Sequence, residues 1–174
     1  MYRQIFLFES PAGARVNLFA NLDFEIPGVA ETARLRVSVD DEYGRIKALA
    51  SSDVVLLSAG ESDLNPVGDQ LEPIVILQPL EKISYEGGTL MVNGLVRTGS
   101  DMPLYVELID PDGVIIGSRL AGIAEDDKAE HRLFGAEVPY HVSGPTWVRV
   151  SVSERDGRRI SIKHISTVEV LLRP

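Results

Sequence analysis

From Ala33 the chain alternates: Leu35, Val37 and Val39 are separated by Arg36 and Ser38, the period-two pattern of a strand with one face against a core. Asp41-Glu42-Tyr43-Gly44 follows, and Ile46 restarts the apolar positions. Asp bonds the backbone two residues on and Gly tolerates positive φ, so strand, tight turn and strand are predicted. The same order returns at Leu104, Val106 and Leu108, then Asp110-Pro111-Asp112-Gly113, then Ile115. Phe134, Ala136 and Val138 alternate with Gly135 and Glu137, and Val148, Val150 and Val152 with Trp147, Arg149 and Ser151. Arg155-Asp156-Gly157-Arg158 predicts a hairpin, after which Ile160, Ile162, Val168, Val170 and Leu172 close the chain. Helical periodicity is weak throughout. Its best candidate, 46–59, carries Ser51-Ser52 and the β-branched Val54-Val55 and reads as two short strands.

The two strand–turn–strand segments share one register. Leu35, Val37, Val39, Asp41, Gly44 and Ile46 match Leu104, Val106, Leu108, Asp110, Gly113 and Ile115 at a constant offset of 69 (113 minus 44). The apolar openings Ile5-Phe6-Leu7 and Ile74-Val75-Ile76 keep that offset, which points to an internal repeat. Between Gly60 and Pro73, Asn65-Pro66 and Gly68-Asp69 give a linker-like composition. The sequence therefore predicts an all-β chain in three parts: a short β unit over 1–60, a linker over 61–73, and an immunoglobulin-like β-sandwich over 74–174. The first unit matches only the front of the second and stops before the strands corresponding to Phe134 through Leu172.

Composition narrows the function. A net charge of -9 argues against tracking a phosphate backbone and against docking on anionic lipid. With no cysteine there are no disulfides, thiolate nucleophiles or cysteine zinc sites. No apolar run is long enough for a membrane helix, and no leader is visible in Met1–Ser10.

Residues 74–172 resemble the immunoglobulin-like domain associated with bacterial spore-germination proteins, which also occurs in envelope proteins. The resemblance is carried by Ile74-Val75-Ile76, Val92-Asn93-Gly94-Leu95-Val96, Val106 to Gly113, Phe134 to Val138, and Trp147 to Gly157. It implies a β-sandwich exposed outside the cytoplasmic membrane, with no catalytic residues to carry over.

Candidate chemistry is sparse. The acidic groups Asp40-Asp41-Glu42, Asp110 with Asp112, and Glu125-Asp126-Asp127 fall in loops, where turn roles explain them better than calcium, which wants six to eight oxygens. His131, His141 and His164 lack metal-ligand spacing. Glu154 and Asp156 are expected in a solvated hairpin turn, unsuited to general acid–base work. No nucleophile elbow, phosphate loop or zinc helix is present. An enzyme is not expected, and no cofactor is.

Alternation offers one binding surface. If Val148, Val150 and Val152 face inward, Trp147 and Arg149 face outward, as do Tyr105 and Glu107 opposite Leu104, Val106 and Leu108. These strands are neighbours in an immunoglobulin-like sheet, so Trp147, Tyr105, Arg149 and Glu107 form a candidate ligand face, suited to sugar stacking or a protein hot spot. The shortened first unit offers another, since Phe6, Phe8, Phe19, Phe24 and Leu56 need cover. The expected role is a non-catalytic extracytoplasmic module that binds protein or associates with itself. A carbohydrate-binding module is the alternative, and an accessory domain of an envelope enzyme the second.

Overall fold

Turn chemistry cuts the chain where the alternation does. The structure, a computed structural model, describes residues 5–6, 19–61, 71–125, 129–157 and 161–174. The described residues form ten strands: β1 (Ala30–Asp40), β2 (Ile46–Leu57), β3 (Ile74–Gln78), β4 (Ser84–Tyr85), β5 (Thr89–Val96), β6 (Leu104–Ile109), β7 (Ile115–Ile123), β8 (Arg132–Pro139), β9 (Thr146–Arg155) and β10 (Ile162–Leu172). The described residues contain no helix, so the predicted all-β class holds.

The strands run in the order β1-β2-β10-β9-β6-β7-β8-β5-β3, a sheet folded over into two layers. One layer is β3-β5-β8 and the other β10-β9-β6-β7, the A-B-E and G-F-C neighbour relations of an immunoglobulin-like sandwich. Three strands stitch the layers together, on two sides. β7 pairs with β6 along most of its length, then turns its last residues, Gly122 and Ile123, onto Gly135 and Phe134 of β8. On the other side β3 pairs with β5, while β4 lies parallel to the end of β10, at Leu171 and Leu172.

Inward positions fill the space between the layers. Leu104, Val106 and Leu108 of β6, Val148, Val150 and Val152 of β9, and Val92 and Val96 of β5 are buried with Phe134, Val138, Val170 and Leu172. Each such side chain contributes roughly 1.5–3 kcal/mol over leaving it in water. Gly94 permits the packing of β3 on β5: a Cβ there would collide with the Val75 carbonyl oxygen and the Phe134 ring.

One expectation changes. The segment 46–59 forms one long strand, β2, rather than two. The Ser51-Ser52 pair does not break it, because the Ser51 hydroxyl donates to the Lys163 carbonyl of β10 at 2.8 Å and Leu49 is buried opposite Ile165. The chain groups into two compact units. One consists of 1–33 and 53–64, the other of 34–52 and 65–174, so the turn end of the first hairpin groups with the sandwich. Of the aromatic residues expected to need cover, Phe19 and Phe24 are exposed and still lack it among the described residues, whereas Phe8 lies outside them.

Candidate functional site

The expected outer face exists strand by strand but not as a patch. β6 and β9 are neighbours, and Tyr105 and Glu107 alternate with the buried Leu104, Val106 and Leu108 as predicted. The register, however, sets Tyr105 opposite Ser153, six residues along β9 from Trp147. At about 3.3 Å per residue that is roughly 20 Å, too far for two rings to share one ligand ring. Trp147, half exposed, stands near the start of β9 opposite Leu171.

The other members of the set are engaged elsewhere. The Arg155 guanidinium lies 3.8 Å from the Tyr105 ring centroid and reaches Glu107 Oε1 at 3.4 Å. With Ser118, Arg119 and Leu120 these residues line an open groove of about 610 Å³. Arg149 donates to Asp41 Oδ2 at 2.7 Å, from the first hairpin's turn. That contact joins residues 108 positions apart and has no local sequence signature.

Asp41 shows how a turn residue becomes a latch. Its Oδ1 accepts from the amides of Tyr43 and Arg45, and its Oδ2 from Arg45 Nε and Arg149. Desolvation pushes its pKa up, but the Arg45 amide and guanidinium, the Tyr43 amide and Arg149 together outweigh this and hold it at about 2. The carboxylate oxygens are thus spent on amides and guanidinium groups rather than held open for a cation. At the other end of the strand, Arg34 pairs with Asp156 at 2.9 Å, so β1 is tied across β9 and the turn that follows it. Asp126 and Asp127 of the third acidic group lie outside the described residues.

Glu154 overturns its expectation. Instead of sitting in a solvated turn, it is buried at 2% exposure. The signal was present: position 154 continues the inward series Val148, Val150, Val152. Its Oε1 accepts from Thr98 Oγ1 at 2.7 Å and lies 3.5 Å from Lys163 Nζ, while Oε2 faces His164 Nε2 at 3.9 Å. His164 accepts the Ser51 amide at Nδ1, which assigns its proton to Nε2, toward Glu154. Burial lowers the His164 pKa, and the Glu154 charge opposes that without cancelling it. The Ser51 hydroxyl points instead to the Lys163 carbonyl, so this Ser, His and Glu grouping has no serine oxygen on the imidazole to activate. Among the described residues, His131 and His141 join neither it nor a grouping able to hold a metal.

The remaining feature is the sheet's end. β1 is the terminal strand, pairing with β2 alone among the described residues. Leu35, Val37 and Val39 are 45%, 51% and 45% exposed, whereas their counterparts Leu104, Val106 and Leu108 are at 0%. No family model matches the chain, and no curated protein matches it in sequence.

Proposed function

We propose that this chain is a non-catalytic interaction module whose working element is the edge of β1 that is unpaired among the described residues. One observation carries the reading: a strand with the alternation of a core strand stands at the sheet's end with its apolar side chains half in water. Exposed edges with such side chains accept a further strand, main-chain hydrogen bonds giving affinity and alternate side chains giving selectivity. The buried Glu154 and His164 support a structural role, since His164 holds β2 through the Ser51 amide and Glu154 faces its ring. The glycan alternative rested on a joint Trp147 and Tyr105 surface, which the β6–β9 register divides.

The test is site-specific photocrosslinking in the producing cell. A photoreactive residue in place of Arg36, on that edge, is expected to give discrete adducts; one in place of Asp112, at the tip of the β6–β7 turn, is not. Equal labelling at both positions, or none at either, overturns the proposal.

A further inference from the structure

The molecule contains a template for what the β1 edge lacks. β6, which matches β1 at the 69-residue offset, uses Tyr105 through Ile109 to pair antiparallel with β9. Subtracting the offset gives Arg36 through Asp40, so this five-residue window is where an added strand belongs. The window reads Arg36-Val37-Ser38-Val39-Asp40, and it complements its own reverse. Run antiparallel against a second copy about Ser38, it places Arg36 opposite Asp40 twice, Val37 opposite Val39 twice, and Ser38 opposite Ser38. Cross-strand pairs of opposite charge and of β-branched residues stabilise a sheet, and like charges in those places oppose it.

Two further observations favour a second copy as the occupant. Arg36 and Asp40 are exposed and form no ion pair among the described residues, so both charges are available. The strand Ala30–Asp40 carries Glu31, Arg34, Arg36 and Asp40, a balanced set in a chain of net charge -9. On net charge two copies repel, and this strand adds nothing to that repulsion. A two-fold pairing also consumes both edges at once and closes, where a head-to-tail pairing would propagate.

We infer that the partner of the β1 edge is a second copy of this chain, paired antiparallel through Arg36–Asp40 about a two-fold axis at Ser38. The inference rests on the edge-strand reading above and names its partner. Five residue pairs make a small contact, so the dimer forms reversibly with concentration.

Light scattering and sedimentation of the purified chain between about 1 and 100 μM, where a micromolar complex passes from monomer to dimer, are expected to show that transition. Arg36→Glu and Asp40→Lys each set like charges opposite one another and weaken the dimer about tenfold or more. The double variant restores the pairs with their signs exchanged and recovers dimerisation to within about threefold. Because the chain has no cysteine, Ser38→Cys introduces its single thiol. Paired strands bring those two residues to about 4.5–5.5 Å, within disulfide reach. Oxidation then gives a covalent dimer, which Ser118→Cys does not.

A chain that stays monomeric throughout, or a dimer indifferent to both single charge changes and slow to cross-link at position 38, overturns the inference. The two proposals fail separately. Adducts from position 36 to a different protein overturn self-pairing and leave the edge as the working element, while no adducts overturn both.

Discussion

The hairpin of β1 and β2 and the hairpin of β6 and β7 turn on the same device. In one, the Gly44 amide donates to the Asp41 carbonyl at 2.9 Å and Asp41 Oδ1 takes the Arg45 amide at 2.8 Å; in the other, Gly113 donates to Asp110 at 3.0 Å and Asp110 Oδ1 takes the Val114 amide at 2.8 Å. Gly44 and Gly113 have φ of 74° and 82°. Each turn is a type I turn closed by a glycine in the left-handed region, which accounts for the shared Asp and Gly. Beyond the turns the hairpins diverge. β6 lies between β7 and β9 and is roofed by the opposite layer, whereas β1 ends the sheet. Local sequence thus determines the turn and the alternation, and neighbours determine whether the alternation is buried.

The largest expected effect contrasts identical residues at matched positions. Leu104→Ala empties a closed core site and costs about 2–5 kcal/mol. Leu35→Ala removes a half-exposed side chain and costs about 0.5 kcal/mol or less in the dilute monomer. Urea unfolding measures both, and similar losses would break the comparison. The turns, by contrast, should respond alike. Gly44→Ala and Gly113→Ala each force a Cβ into the left-handed region, with no heavy atom within 4 Å of it, and each costs roughly 1–2 kcal/mol by the same measurement.

Two pH effects sharpen the difference between the settings. Burial lowers the folded pKa of His164 below 6.5, so the unfolded chain binds more protons as the pH falls through that value. Stability is therefore full above 6.5 and declines as the pH drops toward the folded pKa. Unfolding free energies between about pH 5 and 7 should rise with pH in the native chain and less steeply in His164→Gln. Asp41 gives the smallest effect at ordinary pH. Its folded pKa of about 2 lies below the ordinary 3.8, so the latch to Arg149 contributes fully above 3.8 and is lost as the pH falls through 2. Carbon-detected titration of the Asp41 carboxyl checks this; a midpoint near 3.8 would show that Arg149 and the turn amides do not hold it in solution.

What the sequence disclosed was local. Period-two alternation identified the inward residues of β6 and β9, the Asp and Gly spacing identified the turns, and the 69-residue offset identified matching hairpins. What it could not disclose was register between distant strands. That Tyr105 meets Ser153 rather than a residue near Trp147 depends on how the whole core closes, and sliding β9 by two residues would keep every valine inward. Contacts between the first hairpin and β9, such as Asp41 with Arg149, have the same character. Glu154 differs: its place in the inward series was legible, but a carboxylate beside an Asp-Gly turn suggested solvent, and its partners Thr98, Lys163 and His164 come together only in the fold.

The stitching of the two layers, by β7 on one side and by β3 and β4 on the other, bears on how the protein behaves when concentrated. Layers joined on both sides leave few strand edges at which foreign strands can nucleate. β3 offers only five residues at its end of the strand order, while β1 offers eleven. Colloidal stability therefore converges on one strand. A single lysine in place of Val37 or Val39 should raise the solubility limit more than the same charge placed on β3, by closing the longer of the two flanks among the described strands.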